Sequence, residues 1–324
     1  MVRNDDFLRA VILVLLVTVF GLLTNGTTYS ALGLSNILLQ SSIIGIAAIG
    51  QAFVVLTGAI DVSLYGIGVF ASVLAASTMT SRFDLNIVGG DPWPVAAGVA
   101  IILLVGMAMG AANGLLVSRL RVPALIATLG TWQIGFGLAQ VVGGGYTITN
   151  LPPALGIVGQ GKIAGIPFPV IEMFLLFAIA HFVLRHTSFG RSVYAIGGNA
   201  SSAYLSGIKV RRVQFLVFVI SGLMVGLAAL SIESRMMSVS IRTLSGLQLD
   251  SIAAVAVGGV SIYGGRGTIL GVLLGTLILA VIDSGLGAMG ASTDVQNTVK
   301  GVIIILAVSM EFFRSRGQLD QATP

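Results

Sequence analysis

Long apolar runs separated by short polar breaks dominate this chain. A helix needs roughly 20 apolar residues to cross a bilayer core of about 30 Å. Runs of that kind fall near 7–23, 34–57, 62–80, 95–117, 123–143, 168–184, 213–231, 268–288 and 298–313. A tenth, near 250–263, is shorter and carries two glycines in SIAAVAVGGVSIY, so it reads either as a span or as a re-entrant element. The pattern predicts an all-α polytopic bundle of about ten transmembrane helices, with breaks or re-entrant helices near 58–66 and 250–265. It forms a single transmembrane domain over 1–324.

Charge arbitrates the tenth segment. Basic residues concentrate in cytoplasmic loops. With ten spans and the N-terminus inside, twelve of the seventeen Lys and Arg are cytoplasmic. Arg82, Lys162, Arg235, Arg242 and Lys300 are the five left outside. A re-entrant 250–263 gives ten against seven, so ten spans with both termini cytoplasmic are preferred. The apolar run at 7–23 is followed by no A-x-A cleavage pattern and reads as an uncleaved anchor.

Composition agrees with this. The chain is 56% hydrophobic and 9% charged, with a mean hydropathy of +1.01, where soluble domains carry about 25% charged residues. Its net charge of +5 is dispersed, as topology rather than nucleic-acid binding would require. Cysteine is absent from the sequence, which excludes disulfides and thiolate metal sites.

Many of the 43 glycines lie inside the apolar runs. Gly106, Gly110 and Gly114 share one helical face, as do Gly222 and Gly226, and Gly267, Gly271 and Gly275. Such faces let backbones approach closely where lipid removes the hydrophobic drive for helix association. Val62-Ser63-Leu64-Tyr65-Gly66 recurs as Val260-Ser261-Ile262-Tyr263-Gly264, each after an apolar stretch ending in glycine. Breaks at matching places in two halves often mark a transport pathway.

The most polar interval is 185–213, with Arg185, Arg191, Lys209, Arg211 and Arg212, and it reads as a cytoplasmic loop. Gly197-Gly198-Asn199 suggests a turn, Ala200 to Leu205 a short helix, and Gly207 its end. A short helix flanked by charge at a membrane surface has the character of a docking element.

Asp61 interrupts nearly fifty residues of low polarity. It reads as a gate or helix-breaking joint in a pathway, or as an N-cap in the short cytoplasmic turn before the third span; the two are compatible. His181 and His186 lie off a shared face and read as interfacial. Glu172, Glu233 and Asp283 fall near predicted span ends, where exposure is expected. Gly156-IVGQ-Gly161-Lys162 imitates a phosphate-binding loop, but Ile163 stands where a Ser or Thr hydroxyl should meet Mg²⁺. The chain is therefore expected to bind no ATP and to be no enzyme; neither a hydrolase nucleophile motif nor an acidic dyad occurs in it.

Phe189-Gly190-Arg191, Tyr194-Ala195-Ile196-Gly197-Gly198-Asn199, Ala203 and Ser206-Gly207-Ile208 with Val213 resemble the central loop of permease subunits of ribose-type ABC sugar importers. These belong to the monosaccharide and branched-chain amino acid permease superfamily. NGLLVSRLRVPALIATLG at 113–130, LDSIAAVAVGGVSIYGGRG at 249–267 and Lys300-Gly301 are similar to further family stretches, in order over about 40–310. The resemblance implies a bacterial inner-membrane protein that pairs with a second permease copy or a paralogue. It also implies ATP-binding subunits below, which hold ATP and Mg²⁺, and an extracytoplasmic sugar-binding protein above. It implies coupling to the ATPase through Gly190, Arg191, Gly197, Gly198, Asn199, Ala203 and Gly207, and a monosaccharide or polyol as cargo. Asp61, Ser63 and Tyr65 are the pathway or gate candidates. Family members usually have glycine soon after the serine, so Tyr65 is a departure that narrows the pathway or adds a hydroxyl. The other class in play is a self-sufficient secondary transporter driven by H⁺ or Na⁺, with Asp61 as its coupling carboxylate.

Overall fold

The computed structural model describes residues 2–80 and 92–320; Arg82, counted above as an outer charge, lies outside the described residues. The chain is almost wholly helical. Helices α1 (Val2–Leu23), α2 (Ala31–Leu56), α3 (Leu64–Met79), α4 (Val95–Ser118) and α5 (Ala124–Gly143) are followed by the short α6 (Gly156–Gln160). A two-residue hairpin, β1 (Lys162–Ile163) with β2 (Ile166–Pro167), then leads into α7 (Phe168–His186). The polar loop holds α8 (Ser188–Gly198) and α9 (Ala200–Leu205). Helices α10 (Val210–Met236), α11 (Leu247–Val257), α12 (Ile269–Ala288) and α13 (Thr293–Asp320) complete the chain. Among the described residues, α1, α2, α4, α5, α7, α10 and α12 are long and apolar enough to cross a bilayer alone, whereas α3 and α11 are shorter apolar helices.

The ends of the bundle follow from contacts. Tyr194 of α8 donates its hydroxyl to the Gly267 carbonyl at 3.0 Å, just before α12. Asp6 of α1 accepts from Thr268 at 3.3 Å. The starts of α1, α10 and α12 therefore share one end with α8 and α9, and α13 returns to it. Residues 146–167 lie at the far end, where Gln160 bonds the Arg235 carbonyl at 3.0 Å.

This settles the tenth segment. Helix α10 leaves the chain at the far end and Gly267 lies at the α8 end, so 237–268 crosses the bundle. It is not a re-entrant turn. Helix α11 covers only about 16 Å at 1.5 Å per residue, and the stretch 237–246 descends from the far end to meet it. On the other side of the fold, α2 stops at Leu56 by the α8 end. Residues 57–63 then climb back into the bundle before α3 begins.

Small residues set the closest helix contacts. On α4, a Cβ placed at Gly106 would come within 2.5 Å of the Gly222 carbonyl oxygen of α10, and Gly222 is pressed against Gly106 in return. Gly135 of α5 stands the same way against Gly66 of α3, and Gly275 of α12 against Gly258 beyond α11. These seams gain dispersion energy by shape, the route open to helices in a medium as apolar as their own side chains.

Candidate coupling joint and polar core

Helix α8 starts on a cap and ends against two breaks. Thr187 accepts from the Gly190 amide at 3.2 Å, and Gly190 itself lies flat on the Val183 and Leu184 backbone of α7. Gly190 is thus a close-approach residue rather than a cap. Val193 and Ile196 are buried, and Phe189 stacks on Phe53 of α2 with ring centres 6.2 Å apart. Gly197 and Gly198 are the last helical residues of α8 and form no turn; the chain turns only at Asn199, whose side chain caps α9 by accepting from Ser202 at 2.9 Å. Helix α9 ends at Gly207, with φ +83°.

Gly197 is the meeting point. Its α-carbon rests against the Leu56 carbonyl at the end of α2 and the Gly265 amide before α12, leaving no room for a Cβ. The Gly265 amide donates to that same Leu56 carbonyl at 2.9 Å. Gly58, with φ +81°, and Gly264, with φ +89°, touch; a Cβ on Gly264 would lie 2.7 Å from the Gly58 nitrogen. Both positions sit in the left-handed region that favours glycine. The turn after α2 and the turn at 260–267 therefore meet at one point, and α8 seats on both; of the two Val-Ser-x-Tyr-Gly stretches only the second lies there. The copies differ locally, since Leu64 already opens α3 whereas 260–264 is a turn.

The outward side of the loop is different. Arg191, Lys209, Arg211 and Arg212 are exposed, as are Tyr204 and Leu205, at 71% and 84%. Ala203 faces the bundle and is buried. Sequence reasoning missed Tyr204 and Leu205; two large apolar side chains in a polar loop are the signal that could have found them.

Asp61 sits inside the bundle, fully buried, and not in a surface turn. Its carboxylate accepts from the Ser63 amide at 2.9 Å, from the Ser63 hydroxyl and from Ser221 of α10 at 2.8 Å. Asn113 of α4 donates to Ser63 at 2.8 Å and accepts from Thr131 of α5. The network ties three helices, α4, α5 and α10, to the break, about 7–16 Å from the α8 end by helix rise. Tyr65, on the first turn of α3, donates to the Ile241 carbonyl and lies 5.7 Å from the Phe136 ring. The climbing segment after α2 and the descending segment before α11 thus meet in mid-bundle, at Tyr65.

Three acids expected at exposed span ends are inside instead. Glu172 accepts from Ser231 at 3.0 Å. Glu233 is fully buried, with neither carboxylate oxygen hydrogen-bonded among the described residues. Asp283 joins Asp250 around Lys300, at 3.5 and 2.9 Å from its ammonium. Lys300, expected in an outer loop, is therefore a bridge between α11, α12 and α13. Partners distant in sequence stabilise Glu172 and Asp283, whereas Glu233 is buried without one among the described residues, and no local pattern announces any of the three. The Gly156–Lys162 stretch forms α6 and the first strand, with Gly159 tight against Arg235, so it makes no phosphate cradle.

Residues 33–308 match the family described as the branched-chain amino acid transport system / permease component. The chain belongs to this permease family. The permease is 39% identical over 315 residues to the ribose import permease protein of Bacillus subtilis, covering 96% of this chain and 93% of that one. It is 34% identical over 281 residues to an L-arabinose ABC transporter permease protein of Azospirillum brasilense, covering 87% and 80%. It is also 35% identical over 309 residues to the fructose import permease protein of Rhizobium meliloti, covering 93% and 83%. No solved structure matches the chain. The resemblance to ribose-type permeases is upheld, and no relative supports an ion-coupled carrier.

Proposed function

We propose that this permease is the transmembrane subunit of an ATP-driven bacterial importer for a monosaccharide or related polyol. It works in the inner membrane with its termini and the 185–213 loop on the cytoplasmic side, where the basic residues gather. The observation that carries the reading is the seating of α8 on both helix breaks at Gly197. A push on α8 or α9 from outside the bundle displaces the Leu56–Gly58 turn and the Gly264–Gly267 turn together. Such a joint suits a bundle with two arrangements, one open to each side, biased from one end. ATP and Mg²⁺ belong to the subunit that does the pushing, and a second permease copy or a paralogue completes the membrane unit. An extracytoplasmic binding protein delivers the sugar. The relatives carry ribose, arabinose and fructose in their names, which fits a neutral polyhydroxylated cargo.

In this assignment Gly190, Gly197 and Gly198 shape the transmitting face, Asn199 and Gly207 set the ends of α9, and Arg191 points outward. Ala203 holds α9 to the bundle, and Tyr204 and Leu205 make the docking contact. Asp61 and Ser63 brace the joint, and Tyr65 closes the passage between the two broken segments.

The absence of cysteine gives a clean test. A single cysteine at Leu205, carrying a short photo-crosslinker in membranes of the native host, is expected to capture an ATP-binding subunit. The same probe at Thr147, at the far end, is expected to miss it. Capture of no ATPase at an accessible Leu205 probe would refute the coupling reading.

A further inference from the structure

The mid-bundle meeting of Tyr65 and Ile241 has an open side. Phe136, whose ring faces Tyr65, lies on one stripe of α5 with Gln133 and Gln140, at spacings of three and four residues that put side chains on a common face. Both glutamines are exposed. By helix rise Gln133 stands about 14 Å from the α8 end, near the middle of a bilayer core of about 30 Å, and Gln140 about 24 Å, in its outer part. Arg242, next to Ile241 and three residues beyond the Val239–Ile148 bridge, is exposed toward the far end and has no acidic partner among the described residues.

Hydrocarbon suits this face poorly. An exposed glutamine amide in mid-span with a guanidinium above it belongs against a watery cavity or the inside of an assembly. The Tyr65 hydroxyl to Ile241 carbonyl bond and the Tyr65–Phe136 ring contact hold the 237–246 segment beside the α5 stripe. Elsewhere exposed mid-depth positions include large apolar side chains, as at Leu104 of α4 and Leu175 of α7.

The chemistry of the face is that of a neutral polyol. Each glutamine amide offers both a donor and an acceptor to a hydroxyl pair, and the guanidinium offers a fork of donors. Phe136, half-buried, gives flat apolar surface for the C–H face of a sugar ring, and the buried Tyr65 backs it. The set has no carboxylate, so it lacks the means to select an amine. From this, and resting on the importer reading above, we infer that Gln133, Phe136, Gln140, Arg242 and Tyr65 form a mid-membrane sugar-binding station. The passing monosaccharide is held there against α5 and the descending 237–246 segment. This places cargo contact beside the helix breaks, where a change in their arrangement would open or close it.

The test uses single cysteines in the full chain, assembled in its native membranes, at Gln133, Gln140 and, as a lipid-facing control at equal depth, Leu104. ATP-driven [¹⁴C]ribose, arabinose or fructose uptake by the parent chain and by Leu104→Cys is first established, which keeps failure of the importer reading separate. A charged methanethiosulfonate reagent needs water and a thiolate, so Gln133→Cys and Gln140→Cys are expected to react about tenfold faster than Leu104→Cys. The transported sugar at saturation is expected to slow both reactions. Arg242→Gln is expected to lower uptake about tenfold, with Arg242→Lys recovering part, as for a lost cationic donor at the cargo. Reaction at 133 and 140 as slow as at 104 overturns the station. So does disulfide formation between two copies at Gln133→Cys without reagent access, which would make this face a dry seam between permeases. Sugar-independent labelling of both cysteines overturns it as well.

Discussion

Gly197→Ala isolates the joint, because one methyl group is added and no contact is removed. That methyl would be driven into the Leu56 carbonyl and the Gly265 amide, and it would lie 2.9 Å from the Gly265 α-carbon. All three are backbone atoms, so no rotamer change relieves the clash, and α8 has to back away from one break or from both. Overpacking of this kind costs about 1–3 kcal/mol. If that cost falls wholly on the seated arrangement, its population relative to the other drops by a factor of about 5–150. The neighbouring residue supplies the control, since a Cβ on Gly198 meets nothing within 4 Å. Alanine there is neutral or slightly helix-favouring. Measured as ATP-dependent sugar uptake in inverted-control membrane vesicles at matched expression, Gly197→Ala is expected to lose at least fivefold, by the lower bound just given, while Gly198→Ala stays near the parent. Photo-crosslinking from Leu205→Cys should still find the ATPase in both. Wild-type uptake by Gly197→Ala, or equal loss in the two variants, would refute the reasoning that α8 acts through this backbone contact.

Asp61→Asn removes the charge that three donors serve, and each such bond contributes roughly 1.5–3 kcal/mol; thermal unfolding of the solubilised permease should shift down while part of the ATP-driven uptake persists. Complete loss of uptake with unchanged melting would instead make Asp61 a coupling group. Gly222→Val thrusts a branched side chain into the Gly106 backbone and is expected to abolish stable accumulation in the membrane, seen by immunoblot; normal levels of folded protein would contradict the α4–α10 seam. Lys300→Met leaves Asp250 and Asp283 facing each other unpaired, a loss of about 3–5 kcal/mol. Adding Asp250→Asn and Asp283→Asn should restore much of the melting temperature, and failure to restore it would show that the lysine acts elsewhere.

Much of the bundle was legible because lipid imposes a simple rule on length and polarity. All ten segments correspond to helices, and the glycine faces at 106–114 and 222–226 are seams, as are Gly271 and Gly275; Gly267, expected on that last face, lies before α12 at φ +138° and packs on Val260 instead. Helix α9 was readable from its own residues, since Asn199 and Gly207 are local signals. What escaped was set by distance in sequence. Glu233, Asp283 and Lys300 look like end-of-span charges until the fold brings other helices over them. The climb of 57–63 and the descent of 237–246 follow from packing at Gly58, Gly264 and Tyr65, which no periodicity encodes. The assignment of Gly197-Gly198 to a turn failed for a related reason: glycine pairs usually punctuate, but here the missing Cβ serves a close approach.

The two sides of the 188–205 segment have a practical consequence. Inward, contact is made by backbone at Gly190 and Gly197 and by Phe189, Val193, Tyr194 and Ile196, all of them uncharged. Outward, Arg191, Tyr204, Leu205 and Lys209 are open to solvent. On the coupling proposal, force and partner choice are written on opposite faces of one short segment and can be edited apart. A foreign motor could then be fitted by rewriting the outer residues alone, with the inner face left as a universal socket.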